Sequence, residues 1–500
     1  MKPHGFWLRR AIAFAAGALL SLAFAPHEWW PLAIACPAVL FALWEGSTPR
    51  AAAWLGFWFA FGTFTAGTWW LYVSIHVFGQ APIWLALLLM LALVTIMACY
   101  QALLGFLVAR FLPRTGLTRW LLGIPALWLL IEWLRGWLFS GFSWLSLGYS
   151  QTGTWLAAWA PVAGVYWISL LLLLSAGALL ALWRGNSRQR AAAAVALLLP
   201  WIIAWPLRRL EWTQPSGPAV GVAVLQGAIP QDEKWLEENR TTTLLLYRDL
   251  TRQALGTPLI VWPEAAPPDL ANNLTSYLGE AYGAASAKGS SLVLGVVRAD
   301  DAMEQYYNSV IAMSDKVSWY NKQHLVPFAE VFPVPAFVRS WLRLMSLPYS
   351  DFTRGAADQP PLPAAGLLLS VSICYEDAYG SSQLAALRTA TALVNVTNDA
   401  WFGRSSARYQ HLQISRMRAI EAQRFLIRAA NDGVSAVIGP HGEIVAQAVE
   451  YKAEVLRANV VPRSGLPFYV RVANFPVILL CLAALLLALR RARQELSTAT

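Results

Sequence analysis

Apolar side chains run almost without a break through the first two fifths of the chain, whereas from 215 to 463 they alternate with polar ones. The two patterns predict two different solvents. A helix needs about 20 mostly apolar residues to cross the hydrocarbon layer, and such runs occupy 8–25, 29–44, 51–73, 83–109, 118–134, 161–183, 191–207 and 468–489. They predict a membrane domain over 1–210 with seven transmembrane helices, a water-soluble domain over 215–463, and an eighth transmembrane helix with a cytoplasmic tail over 466–500.

Within the soluble stretch the pattern repeats strand, helix, strand. AVGVAVLQG (219–227) reads as a buried strand, 233–254 as a helix, PLIVWPEA (258–265) as a strand ending in a carboxylate, and 269–288 as a helix opened by Asp269. Strands follow at 291–297, 309–314 and 318–322. LLLSVSICYED (367–377) is a strand running into a tight turn, followed by a helix at 380–391, ALVNVTNDAWFG (392–403), a helical run at 408–430, and strands at 434–439, 443–448 and 454–461. Such alternation indicates a layered α/β domain with short connections.

Composition agrees with lipid as the solvent for much of the chain: 57% hydrophobic and 13% charged residues, against about 45–50% and about 25% in soluble proteins. The net charge of +10 invites a nucleic-acid reading, but its location excludes that partner. Residues 215–463 hold 21 Lys and Arg against 23 Asp and Glu, so the basic excess sits in the membrane part. A phosphate-binding surface needs a basic patch on the soluble domain. With alternating spans, Lys2, Arg9, Arg10, Arg50, Arg110, Arg114, Arg119, Arg184, Arg188, Arg190, Arg490, Arg491 and Arg493 fall on one side, while the opposite short loops carry only Arg135. Both termini are then cytoplasmic and the soluble domain faces outward. A cleavable signal peptide ending near Ala23-Phe24-Ala25 is disfavoured by Pro26 and by the odd span count that cleavage leaves.

Cys36, Cys99 and Cys481 sit in the predicted spans, and the soluble domain keeps only Cys374. A lone thiol in an oxidising compartment has no structural partner, which favours a chemical role. Glu264, Lys322 and Cys374 each end a predicted strand, the edge at which open α/β sheets build sites. Singly, each residue is more simply a buried cysteine, a solvated lysine or a surface carboxylate. Together they make a chemically sensible set: a carboxylate to take the thiol proton, an ammonium to stabilise the thiolate, and Lys322 with the Tyr375 N–H as oxyanion donors. No metal or organic cofactor is required, and His324, His411 and His441 form no compact ligand motif.

VWPEAAPP (261–268), YNKQHLVPFAE (320–330) and SICYED (372–377) resemble the nitrilase, or carbon–nitrogen hydrolase, superfamily. Joined to an eight-span membrane part with WLRGWLFSGFSWLSLGYSQ (133–151) and FGTFTAGTWWLYVSI (61–75), they resemble the bacterial apolipoprotein N-acyltransferase family. The resemblance implies an α-helical membrane bundle carrying an α-β-β-α sandwich, with Cys374 as nucleophile, Glu264 as base and Lys322 as oxyanion and thiolate support. It also implies Glu330 as a second carboxylate, Tyr375 and Glu376 as site-shaping neighbours, and Trp235 near the acyl pocket. Ala329 stands where the family usually has Gly, which puts the placement of Glu330 in question. The implied reaction moves the sn-1 acyl chain of a phospholipid such as phosphatidylethanolamine through a thioester to the amine of a diacylglyceryl-cysteine on an apolipoprotein. It implies a monomer in the inner membrane with its catalytic domain in the periplasm.

Two other readings use the same residues differently. A membrane-tethered amidase or hydrolase would share the three residues and use water as acceptor; a transporter would need intramembrane ionisable groups and an internal repeat that this sequence does not display. Segment 327–349, PFAEVFPVPAFVRSWLRLMSLPY, is too apolar for an ordinary exposed loop and reads as a lid dipping into the membrane interface. A charged residue at Trp341 or Leu344 is then expected to impair lipid turnover while sparing the fold. Glu132, in the fifth span, is expected to pair with Arg135 one turn away.

Overall fold

The computed structural model describes residues 3–327, 329–331 and 352–497, and the chain divides into two compact units. The expected lid at 327–349, with Trp341 and Leu344, lies almost wholly outside the described residues.

The first unit comprises Met1–Trp212, Phe402–Ala422 and Pro467–Thr500. Every apolar run is helical: Pro3–Leu20, Leu32–Trp44, Pro49–Gly67, Ile83–Phe111, Ile124–Arg135, Ala160–Arg184, Ser187–Leu207 and Phe475–Ser497. Of the eight expected spans, five are long and apolar enough to cross a membrane: Gly5–Ala23, Ile83–Phe111, Trp155–Arg184, Ser187–Leu207 and Phe475–Glu495. The others fall short for visible reasons. Leu32–Trp44 has 13 residues and Ile124–Arg135 has 12, and Pro49–Gly67 opens on Pro49 and Arg50 and holds the small residues Gly56, Gly62, Thr63 and Thr65. Those small residues serve packing instead. A Cβ at Gly56 would lie 2.2 Å from the Gln101 carbonyl oxygen, and one at Gly62 2.2 Å from that of Phe14, so the neighbouring helices meet backbone to backbone.

The helix Ala407–Ala422 belongs to this first unit although its sequence is polar. Fourteen of its 16 residues are buried. Gln410 Oε1 accepts from Trp144 Nε1 at 2.7 Å, and Gln413 Oε1 accepts from the Ala25 N–H at 3.2 Å. The Ala160–Arg184 helix breaks at Ala163 and Gly164, the latter at φ 75°. The Val165 N–H donates to Glu421 Oε1 at 2.8 Å, and Arg418 closes an ion pair to Glu421 at 2.7 Å. Irregular backbone among spans is tolerated where protein groups satisfy it in this way. Glu132 and Arg135 are both buried, but among the described residues no direct ion pair joins them. Glu132 accepts from Ser169 Oγ at 2.6 Å, while Arg135 donates to the carbonyls of Phe142 and Trp144, each at 2.8 Å. Nearby carbonyls satisfy the guanidinium, so the expected contact is not needed.

The second unit comprises Thr213–Trp401 and Gln423–Leu466 and contains two six-stranded sheets. The first runs in the order Glu454–Val460, Val220–Gln226, Leu259–Val261, Ser291–Ala299, Tyr306–Met313, Val317–Asn321; the second runs Ile444–Gln447, Ala436–Ile438, Leu426–Ala430, Ala392–Thr397, Leu367–Ile373, Leu362–Ala364. Period-two alternation explains the layers. Val222, Val224, Leu259, Val261 and Val293 pack against Leu369, Val371, Ile373, Val394 and Ile427 of the second sheet. The residues between them, Ala223, Leu225, Ile260 and Leu292, face the opposite way and cluster with Tyr247, Leu250 and Leu278 from the helices Glu237–Ala254 and Thr275–Ser286. A strand buried on both faces reads as a continuous apolar run, which is what the sequence has there.

Three boundaries differ from expectation. The helix expected at 233–254 starts at Glu237, leaving Trp235 in the preceding turn. The helix expected at 380–391 shrinks to Gly380–Gln383 and Leu384–Leu387. The run at 408–430 is two elements: Gln423 takes φ 43° after the helix, and Leu426–Ala430 pairs in parallel with Ala392–Thr397. FLIRAA is a short apolar run that periodicity cannot assign to helix or strand, and the ladder to Leu393 and Val394 decides it.

Candidate active site

Strands Leu259–Val261 and Ser291–Ala299 run parallel, and Val317–Asn321 shares their direction through two antiparallel steps. Their C-terminal ends therefore open on one edge. Strand Leu367–Ile373 runs parallel to Ala392–Thr397 with Ile373 opposite Val396, and delivers Cys374 to the edge of its own sheet at the level of Thr397.

Glu264 lies three residues beyond Val261, and the chain turns sharply at Ala265, φ 43°. Gly295 permits this, because a Cβ there would sit 2.6 Å from the Glu264 Cα. One oxygen, Oε1, accepts from Asn308 Nδ2 at 2.7 Å and faces Lys322 Nζ at 3.4 Å; Oε2 accepts from the Asn398 N–H at 3.0 Å. Lys322, 1% exposed, directly follows its strand and is anchored by its N–H to the Asn308 carbonyl at 2.8 Å. Its ammonium also meets Glu330 Oε1 at 2.9 Å, and Asn308 Nδ2 reaches that same oxygen at 2.9 Å. Glu330 Oε2 accepts from the Val326 N–H at 2.8 Å.

Cys374, partly buried, opens the turn Cys374–Ala378 at φ 54°, a left-handed conformation that a side-chain-bearing residue adopts at some cost. Glu376 over-determines it. Its Oε2 accepts from the Ile373 N–H at 2.8 Å and from the Tyr320 hydroxyl at 3.1 Å, while Oε1 accepts from the N–H groups of Gln323 and His324 at 2.6 and 2.9 Å. One buried carboxylate thus ties the turn holding Cys374 to the loop following Lys322. From below, Asn395 Nδ2 donates to the Cys374 carbonyl at 3.0 Å, and Arg428 holds Asn395 Oδ1 at 2.7 Å and Asp399 at 2.7 Å.

Residues 16–178 match the apolipoprotein N-acyltransferase N-terminal domain, and residues 221–464 match carbon–nitrogen hydrolase. An apolipoprotein N-acyltransferase from Chromobacterium violaceum is 43% identical over 482 residues, covering 95% of this chain and 92% of that protein. One from Methylococcus capsulatus is 39% identical over 488 residues, covering 97% of each. The chain belongs to the apolipoprotein N-acyltransferase family. It is an enzyme of the carbon–nitrogen hydrolase fold and a bacterial membrane protein.

The charges around the sulfur define its resting state in this member of the family. Burial pushes the Cys374 thiol up and Glu264 pushes it further; Lys322 opposes them, Asp399 adds to the rise, and a hydrogen bond with Thr397 weakens it. The net direction is upward, so the resting sulfur is a thiol, and the help Lys322 gives a thiolate acts as the proton leaves. Burial also works against the charge of Lys322, but Glu330, Glu264 and Cys374 outweigh it and hold the ammonium protonated above its ordinary range. Such a set can pass a thiol proton to a carboxylate while a fixed cation waits for developing negative charge.

The other expected neighbours divide. Tyr375 lies under Lys322 Nζ, 5.9 Å from its ring centroid, and its hydroxyl donates to the Leu325 carbonyl at 2.9 Å. Trp235 is 51% exposed, with its ring 6.0 Å from Lys234 Nζ. His324 stacks on Tyr379 at 4.2 Å and is lowered to about 4 by burial and by Arg354, so it stays neutral. Among the described residues no group of three His, Cys, Asp or Glu side chains is placed to hold a metal ion. Sequence reasoning missed Asn308, Asn398 and Lys234. Asn308 opens a strand pattern and Asn398 closes one, polar residues at the ends of apolar runs; Lys234 carried no signal, because a charge in the first turn of the helix expected at 233–254 reads as solvated.

Proposed function

We propose that this chain moves the sn-1 acyl chain of a phospholipid, phosphatidylethanolamine-like, onto the α-amine of the diacylglyceryl-cysteine that begins an apolipoprotein. The observation that carries the reading is the cluster of Glu264, Lys322 and Glu330 around the thiol of a strained turn, in a chain that matches the family along nearly its whole length.

As Cys374 Sγ bonds to the ester carbonyl carbon, its proton passes to Glu264. The oxyanion that forms is met by Lys322 and the Tyr375 N–H. Collapse breaks the ester C–O bond; the lysophospholipid oxygen takes the proton from Glu264 and leaves, and a thioester remains. The amine of the second substrate then adds to the thioester carbon and gives a proton to Glu264. The C–S bond breaks, the amide leaves, and the proton returns to sulfur. Both halves use the same donors, so one site serves two lipids in turn. Glu330 fixes Lys322, Glu376 and Tyr375 fix the turn, and Trp235 lies beside the acyl chain. The charge distribution over the spans supports a multi-pass inner-membrane protein with cytoplasmic termini and the 215–463 domain in the periplasm. The unit acting is a monomer.

The test feeds the full chain phosphatidylethanolamine vesicles with and without a lipopeptide bearing a free α-amine. Phospholipid alone is expected to leave an acyl adduct on the peptide holding Cys374, absent in Cys374→Ala, and addition of the amine is expected to release N-acylated lipopeptide. Release of fatty acid with no amide product would mean a hydrolase.

A further inference from the structure

The turn ahead of helix Glu237–Ala254 carries a lysine that no step above uses. Lys234 is fully buried, and its Nζ donates to the backbone carbonyl of Glu264 at 3.1 Å. The same turn reaches Glu264 by a second route. Gln231 Oε1 accepts from Asn398 Nδ2 at 2.6 Å, and the Asn398 N–H donates to Glu264 Oε2 at 3.0 Å. One turn thus grips both the main chain and the carboxylate of one residue.

A buried ammonium with a single carbonyl acceptor needs an electrostatic reason to stay charged. Burial lowers Lys234 to about 8 and the charge of Glu264 acts in the opposite direction. Around Glu264 the charged and titratable groups are Lys322, Lys234 and Cys374, with Glu330 reached through Lys322 and Asn308, and Asp399 acting on Cys374. With Lys234 charged, two carboxylates face two ammoniums; without it the pocket carries an uncompensated negative charge.

We propose that Lys234 is a positioning residue of this site, a second buried cation that fixes the Glu264 turn and keeps the carboxylate ionised and ready to take the Cys374 proton. The inference rests on reading Glu264 as the base. Removing a nearby positive charge makes a carboxylate harder to ionise, so the acidic limb of acylation moves to higher pH.

The experiment measures the rate of acyl-adduct formation on the full chain with phosphatidylethanolamine vesicles across pH, for the native protein, Lys234→Gln, Lys234→Arg and Glu264→Gln. Lys234→Gln keeps a donor for the Glu264 carbonyl and removes only the charge, so it separates charge from support. Its acidic limb is expected to move up by about one pH unit or more, while Lys234→Arg keeps the native limb. A native limb in Lys234→Gln, whatever its rate at the plateau, overturns the proposal. If Lys234→Gln does not fold, a moved limb in Lys234→Arg overturns it and an unmoved one supports it. Undiminished acylation by Glu264→Gln would instead defeat the base assignment itself.

Discussion

Glu330 Oε1 lies 2.9 Å from Lys322 Nζ, closer than the 3.4 Å that separates the ammonium from Glu264 Oε1. Lys322 therefore spends its strongest contact on the carboxylate with no proton to carry, and its own contact to Glu264 is the longer of the two. Glu330→Gln keeps acceptors and donors of similar shape but removes the charge, so Lys322 turns fully to Glu264 and makes it a poorer base. Acylation in a single turnover, followed by intact mass, is expected to slow about tenfold or more, as when one interaction of about 1.4 kcal/mol or more is lost from a transition state. A native rate would show that Glu330 only packs.

Cys374 sits at φ 54° and its neighbours hold it there. For a residue with a Cβ this conformation costs about 1–2 kcal/mol, more than the roughly 0.5–1 kcal/mol of chain entropy that glycine loses on folding. Neither Cys374→Gly nor Cys374→Ala can form an acyl adduct. The glycine variant is nevertheless expected to unfold at the higher temperature of the two; the reverse order would mean that the turn is not strained.

How much of this was legible in the sequence depends on what each residue touches. Glu264, Lys322 and Cys374 were placed at strand ends because each terminates an apolar run; in the structure Lys322 and Cys374 directly follow their strands, and Glu264 lies three residues beyond Val261. The spans were legible as helices but not as equal crossings: among the described residues five have the length and apolarity, Leu32–Trp44 and Ile124–Arg135 being too short and Pro49–Gly67 giving Gly56 and Gly62 to backbone contact. Ala407–Ala422 was hidden because polarity normally means solvent. Here Gln410, Gln413, Arg418 and Glu421 are buried and engaged in hydrogen bonds or an ion pair that no periodicity encodes. Lys234 was hidden for the same reason.

Glu376 makes the fold sensitive to pH in a defined direction. Burial lifts it to about 7, against the hydrogen bond from His324 and the charge of Lys322. Between its ordinary value near 4.5 and about 7 the folded chain keeps a proton that the unfolded chain releases. Its contribution is therefore fully present below the lower value and is lost as pH rises through about 7. His324, lowered to about 4, works in the opposite sense: its contribution is present above its ordinary 6.5 and fades as pH falls through about 4. Glu376→Gln removes the first effect alone. The variant is expected to be less stable overall, because it supplies fewer acceptors, but its melting temperature should fall less than the native one between about pH 5 and pH 8. Parallel curves would reject the assignment.

Arg428 is completely buried, 2.7 Å from Asp399 and 3.7 Å from Asp377, and also donates to Asn395 Oδ1 and the Val434 carbonyl. A planar fork can serve all four partners, whereas a lysine offers a single point charge. Arg428→Met takes the buried cation away from two buried carboxylates and is expected to cost roughly 3–5 kcal/mol, while Arg428→Lys should fall between it and the native chain. Because the damage comes from unpaired charge more than from a missing contact, adding Asp399→Asn to Arg428→Met should recover part of the loss. Thermal unfolding of the detergent-solubilised chain measures this. A double variant no more stable than Arg428→Met alone would mean that packing, and not charge, sets the role of Arg428 beneath the Cys374 turn.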